Sequence, residues 1–248
     1  MRWRLLPFTR QPAALNMAVD EAVAEGIRSS GSPPTIRFYG WEPSAISIGC
    51  FQSLQDEVDV EECRRGGVDV VRRRTGGGAV YHDRDGEITY SIIAPEGLMG
   101  PDITASYREV GGWVMDALAG LGLDPRYAPI NDITVGGRKI SGCAQTRREG
   151  VFLQHGTILY SLDREKMFSL LKVAREKVSG HGIGSPGARV IAVSEVSTAT
   201  RADLLAGLQR SFCRWKEWYE QPLGPSEAAR AAELVRERYA RPEWTSSR

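Results

Sequence analysis

Cysteine is scarce: Cys50, Cys63, Cys143 and Cys213 are scattered over 248 residues. With no CxxC pair and no cysteine–histidine metal spacing, neither a disulfide framework nor a zinc site is indicated, and a reducing, cytoplasmic setting is expected. Long apolar runs are missing too, since no stretch approaches the 18 or more residues of a membrane span. The opening residues, MRWRLLPFTRQPAALNMAVDEAV, carry no h-region and pass straight into a helical pattern, so no signal peptide is expected. Neither sign of charge prevails: 32 basic against 31 acidic side chains leave a net +1 and a pI near 7.7. No global field gathers nucleic acid or an anionic membrane, and any anion must be bound locally. Histidine is rare as well, limited to His82, His155 and His181.

What is present is globular. Hydrophobic residues make up 42% and charged residues 25% of the chain, and its length suits one sizeable domain spanning 1–248. Helical spacing runs from Asn16 to about Ser29, and β-branched runs TIRFYG and SAISIGCFQ follow as strands. A short helix over Val58 to Arg65 leads to VDVVRRR, a strand ending at TGGG. AVYHD and ITYSIIAP read as a hairpin, and Ala105 to Leu121 as a helix stopped by Gly122. NDITVGGRKISGCAQTRREGVFLQHGTILYSL reads as three strands with tight turns at Gly136-Gly137 and Arg148 to Gly150. Helices are expected at Arg164 to Val178, Arg201 to Tyr219 and Pro225 to Tyr239. Paired strands with bunched helices predict an α+β fold with a mixed, largely antiparallel sheet flanked by helices.

Glycine is in excess, 27 of 248 or about 11%, against a usual value of about 7%. Its clusters mark three constellations. In Arg72-Arg73-Arg74-Thr75-Gly76-Gly77-Gly78-Ala79-Val80-Tyr81-His82-Asp83, successive glycines let a backbone approach a ligand closely, and the arginines can add charge-assisted bonds to phosphate or carboxylate. The run lacks GK[ST] and GxGxxG, so it is neither a Walker nor a Rossmann loop. In Asn131-Asp132…Gly136-Gly137-Arg138-Lys139-Ile140-Ser141-Gly142, a lysine leaves a tight turn onto a strand, where Lys139, Ser141 and Cys143 are expected to share a face. A fixed ammonium there can stabilise charge developing on a carbonyl or phosphoryl oxygen. The third is Gln154-His155-Gly156-Thr157. No triad or metal set is evident around either histidine, and both read as pocket-lining. His181 lies in a glycine-rich segment read as a connecting loop able to cover a site.

The ordered set RRRTGGGAVYHD, NDITVGGRKISG and QHGTIL, with NMAVDEA and RYARPEW at the two ends, resembles the lipoate branch of the lipoate-protein ligase, octanoyltransferase and biotin ligase superfamily. The resemblance covers essentially the whole chain. It implies the biotin/lipoate ligase catalytic-domain fold and an enzyme that attaches lipoyl or octanoyl groups to one lysine of a lipoyl-carrier domain. The carriers implied are the E2 subunits of 2-oxoacid dehydrogenases or the glycine cleavage H protein.

In the ligases of that family, ATP and Mg²⁺ convert the acid to acyl-AMP before the lysine attacks. Carried over by position, Arg73, Thr75, Gly76, Gly77 and Gly78 would hold the acyl chain and adenylate, with His82 beyond them. Asn131 and Asp132 would mark the nucleotide side, with Mg²⁺ near Asp132. Lys139 would contact the activated carbonyl, and Ser141, Gly142, His155 and Gly156 would line the pocket. Ile46, Ile48 and Val80 are expected in the acyl slot. The family also contains octanoyltransferases that use no ATP and pass octanoate from acyl carrier protein through a cysteine thioester. Residues 124 to 138 and the positions before His155 contain no cysteine, whereas Asn131-Asp132 is ligase-like. The expectation is therefore ATP-dependent ligation, aided by a separate accessory subunit because the chain ends soon after RYARPEW. The alternatives are octanoyl transfer with Cys143 as the nucleophile, and a non-catalytic lipoate- or carrier-binding module.

Overall fold

The computed structural model describes residues 1–172 and 189–248. His181, the end of the helix expected over 164–178 and the glycine-rich segment around them lie outside the described residues. The strands are β1 (Trp3–Gln11), β2 (Thr35–Trp41), β3 (Ala45–Ile48), β4 (Asp69–Arg72), β5 (Val80–His82), β6 (Glu87–Pro95), β7 (Pro125–Ala128), β8 (Asp132–Val135), β9 (Arg138–Arg148), β10 (Val151–Leu159) and β11 (Trp218–Glu220). Eight form a sheet in the order β11-β1-β2-β6-β10-β9-β8-β7, and three a smaller sheet, β4-β3-β5. In the large sheet β11, β1 and β2 run parallel and every other neighbouring pair is antiparallel, so the expected mixed α+β architecture is present.

The helices are α1 (Ala13–Ser30), α2 (Leu54–Glu57), α3 (Val60–Arg65), α4 (Ile103–Ala119), α5 (Arg164–Leu170), α6 (Arg201–Cys213), α7 (Pro225–Leu234) and α8 (Pro242–Thr245). Both faces of the large sheet are covered, which is why β2 and β6 are nearly continuous apolar runs. Ile36 and Phe38 of β2, with Ile88, Tyr90 and Ile92 of β6, pack against α4 and α6. The alternate residues Tyr39, Trp41 and Ile93 join Val71 of the small sheet and the apolar stripes of α1 and α7. Strand alternation thus sends one set of side chains to a closed core and the other toward the small sheet, where the cavity lies.

Several boundaries differ from the sequence reading. AVYHD and ITYSIIAP are not a hairpin: β5 pairs with β3 and β6 with β2 and β10, so the turn between them crosses from one sheet to the other. β1 went unforeseen because Pro7 and its charged residues blur the alternation; the ladder to β2 shifts register between Leu6 and Thr9, where a residue without an N–H is tolerated. The Val58–Arg65 helix is α3, Val60–Arg65, preceded by a further short helix, α2, and the helix from Arg201 stops at Cys213 before β11. The helix from Pro225 loosens into a π turn over Val235–Tyr239. β7 was missed, and the Ala105–Leu121 helix ends at Ala119, ahead of the left-handed Gly122.

Candidate active site

The small sheet and the face of the large one that carries Tyr39, Trp41, Thr89 and His155 enclose a cavity of about 270 Å3. Trp41, Tyr39, Met17, Thr89, Ser47 and His82, all nearly inaccessible, line its inner part, while Lys139 lies toward the exposed side. Of the residues singled out in the sequence, Arg73, Gly77, Gly78, His82, Asn131, Lys139, Ser141, Gly142, Cys143, His155 and Gly156 border it together. Thr75, Gly76 and Asp132 adjoin it through hydrogen bonds to Arg73 and an ion pair to Lys139. Val80 borders the cavity, but Ile46 and Ile48 do not: they point into a separate core with Val58, Cys63 and Leu170.

The arginine run has a different role from the one expected. The Arg73 guanidinium is buried and spends its five N–H groups within the protein: on Thr75 Oγ1 at 3.1 Å, the Ser47 carbonyl at 2.9 Å, Ser47 Oγ at 3.2 Å, and the Gly76 and Gly78 carbonyls at 2.7 Å each. Burial lowers its pKa to about 10. Arg72 is tied to the carbonyls of Gly49, Gln52, Trp244 and Thr245, pinning α8 beside β4. Arg74 pairs with Glu21 at 2.5 Å. Of the three, Arg73 holds the glycine loop in place, and its guanidinium leaves no open fork for a phosphate. A further glycine, Gly49, explains the loop's position: a Cβ there would stand 2.2 Å from the Gly77 carbonyl oxygen. Gly77 itself has φ 88°, which only glycine adopts without strain.

Both cavity histidines, His82 and His155, are braced between a hydroxyl and a carboxylate. His82 Nε2 lies 2.8 Å from Ser47 Oγ and Nδ1 2.7 Å from Glu87 Oε1, and its ring stacks on Trp41 with centroids 3.9 Å apart. Glu87 Oε1 also accepts from Thr89, which in turn accepts from Trp41 Nε1. His155 Nε2 lies 2.6 Å from Thr75 Oγ1 and Nδ1 3.4 Å from Asp20 Oδ2. Burial lowers the His155 pKa, an effect that Asp20 only partly offsets. Burial opposes ionisation of Asp20, yet the His155 hydrogen bond and the Arg37 guanidinium 2.9 Å away hold it below the usual carboxylate range. Asp20, Ser47, Glu87 and Thr89 are not singled out by the sequence; Ser47 and Thr89 interrupt apolar strand runs, which is a signal, whereas Asp20 beside Glu21 and Glu87 after Asp85-Gly86 sit among other polar residues and give none.

Lys139 leaves the Gly136-Gly137 turn, where both glycines have positive φ, and its Nζ lies 2.7 Å from Asp132 Oδ1. The ladder between β8 and β9 slips there: Thr134 faces Lys139, whereas Ile133 faces Ser141. This bulge reverses the alternation. Lys139 therefore shares a side with Gly142, whose Cβ would meet Nζ at 2.6 Å, and not with Ser141 and Cys143 as the plain strand predicted. Cys143 packs toward Tyr90 and Gln154 on the closed-core side, donates to the Asn131 carbonyl at 3.4 Å, and has its thiol pushed up to about 12 by burial.

For Mg²⁺ and a nucleotide the fit is poor. No carboxylate is among the described residues lining the cavity, and Asp132, the expected holder, is engaged by Lys139. Mg²⁺ is held by one or two carboxylates together with substrate phosphates, and Asp132, which adjoins the cavity, is paired with Lys139. No helix of the described residues is long and apolar enough to cross a membrane.

Residues 12–212 match the model of the lipoyl protein ligase A/B catalytic domain. The chain belongs to that family. Octanoyltransferase LipM of Geobacillus kaustophilus is 36% identical across 99% of this chain and 98% of its own length. LipM of Symbiobacterium thermophilum is 38% identical across 82% and 78%. Among solved structures, the bipartite lipoate protein ligase of Thermoplasma acidophilum, described with its E2 lipoyl domain, superposes with a TM-score of 0.88 at 30% identity, covering 99% of this chain and 96% of that one. A lipoate-protein ligase A bound with ATP gives 0.87 at 30% identity, covering 99% of each. The protein is an enzyme of the lipoyl and octanoyl transfer type, and its relatives favour octanoyl transfer over the ATP-dependent ligation expected from Asn131-Asp132.

Proposed function

We propose that this chain acts as one catalytic domain that moves a medium-chain acyl group, octanoyl in the first instance, from a carrier-bound thioester to the lysine of a lipoyl-carrier domain. The observation that carries this reading is the pairing of an apolar cavity with one directed ammonium among the described residues, Lys139, in a site whose buried loop arginine, Arg73, is already committed. A thioester arrives activated, so the site has no polyphosphate to grip. The acyl chain would occupy the cavity under Trp41 and Met17. Lys139 Nζ would polarise the thioester carbonyl and stabilise the oxyanion that forms when the carrier lysine attacks. The carrier thiol then leaves with the proton the amine gives up.

A covalent form of the reaction, with octanoate resting on Cys143, calls for a thiol that ionises readily; a value near 12 in an apolar setting disfavours it. A second reading, ligation through acyl-AMP, is favoured by the likeness to the ATP-bound ligase and by Asn131-Asp132 next to Lys139. The test is transfer from octanoyl carrier protein to an apo lipoyl domain, followed by intact mass. Wild type is expected to add one octanoyl group. Lys139→Met should lose ~10²–10³-fold in rate, the usual cost of removing one oxyanion donor, while Cys143→Ser stays within a few-fold. A Lys139→Met variant with full activity would overturn the role given to Lys139.

A further inference from the structure

Arg73 is buried in the cavity wall with no carboxylate beside it among the described residues, and its hydrogen bonds have a direction that determines those of both cavity histidines. A guanidinium only donates. Ser47 Oγ and Thr75 Oγ1 each accept from it, at 3.2 and 3.1 Å. Each hydroxyl then has one proton to place, and among the described residues each has one remaining partner, a histidine Nε2: His82 at 2.8 Å for Ser47, His155 at 2.6 Å for Thr75. Leaving a buried hydroxyl proton unpaired is costly, so both Nε2 atoms are acceptors. At the far side, His82 Nδ1 meets Glu87 and His155 Nδ1 meets Asp20, which are acceptors when ionised, so both Nδ1 atoms carry the proton. The two chains of bonds run the same way, from one cation through a hydroxyl and an imidazole to a carboxylate.

We propose that Arg73 is the positioning residue of this cavity: through Ser47 and Thr75 it fixes His82 and His155 as imidazoles protonated on Nδ1, and through the Gly76 and Gly78 carbonyls it holds the glycine loop as the cavity wall. Arg73 then acts on the site through the residues it holds, its five N–H groups being spent within the protein. The arrangement also couples loop and histidines to protonation. A proton added to Nε2 of either ring would set a donor against the hydroxyl proton, and the hydroxyl could keep both partners only by turning its own proton away. The charged and titratable groups facing His155 are Asp20 on α1, Arg73 on the loop and His82 on β5, with Arg37 of β2 behind Asp20. The inference is independent of the acyl donor.

With only three histidines in the chain, ¹⁵N spectra of the full-length protein at pH 7.5 report the tautomers directly. His82 and His155 are expected as Nδ1–H forms. Thr75→Val should alter the His155 signals and leave those of His82, Ser47→Ala should do the reverse, and Arg73→Met should alter both. Arg73→Lys, with three donors in place of five, should restore at most one branch. An Nε2–H tautomer of either histidine in wild type would overturn the proposal. So would single-branch variants that shift both histidines alike, the response expected of general loosening; these two variants keep the test decisive if Arg73→Met does not fold.

Discussion

Gly142 offers a way to move Lys139 without replacing it. In Gly142→Ala the new Cβ would stand 2.6 Å from both Cε and Nζ of Lys139 and 3.1 Å from Asp132 Oδ1, where ordinary contact begins at 3.4 Å. The ammonium is the end of a flexible side chain, 43% exposed, so it yields by about 0.8 Å. A misplacement of roughly 1 Å in a reacting constellation costs about 10²-fold, or about 2.7 kcal/mol of barrier at 1.36 kcal/mol per tenfold. Stability should barely change, because alanine in a strand interior regains about 0.5–1 kcal/mol over glycine. Initial rates of octanoyl transfer and urea unfolding of the same preparation separate the two effects. In a Lys139→Ala background, Gly142→Ala should add nothing, since the group it displaces is gone. A rate within threefold of wild type, or an equal further loss in the double variant, would refute the assignment of Lys139 as the directed cation.

Three more outcomes follow from the same geometry. Asp20→Asn breaks a buried ion pair whose partners are 2–3% exposed and should lower unfolding free energy by about 3–5 kcal/mol; a loss under 1 kcal/mol in urea titration would contradict the packing described. The pKa of His155 is lower in the folded protein than its ordinary 6.5. The unfolded chain therefore binds the extra proton first, and stability is full above about pH 6.5 and falls below it by at most 1.36 kcal/mol per pH unit. Urea midpoints at pH 7, 6 and 5 should show that slope in wild type and lose most of it in His155→Gln, whereas Asp20, Glu21 and Glu227, all held low, act only below their own ordinary values of 3.8 to 4.5. Gly49→Ala forces the Gly77 carbonyl aside and should cost about 1–3 kcal/mol, as overpacking does, while Gly78→Ala, with open space around it, should be near neutral by thermal melt.

The sequence made the glycine loop, the lysine turn and both histidine strand ends legible because each is a local cluster of unusual residues. What it hid was direction. Arg72, Arg73 and Arg74 look alike in a row, yet strand geometry and the turn after β4 send them to the C-terminal carbonyls, the loop and Glu21 respectively. The face of Lys139 depended on a one-residue bulge that no spacing within β9 reveals. The partners of the histidines, Asp20 and Glu87, come from α1 and β6, and only the folding of the two sheets against each other brings them in. Ile46 and Ile48 fit the apolar slot by composition, but the small sheet turns them to its outer core with Val58 and Leu170.

The proposed chemistry needs an acyl donor that arrives already activated. The direct measurement is the intact mass of an apo lipoyl domain after incubation with the purified chain and either octanoyl carrier protein without nucleotide, or free octanoate with ATP and Mg²⁺. Modification of one lysine with the carrier thioester alone is the predicted result. Product that forms only with octanoate, ATP and Mg²⁺ would contradict it.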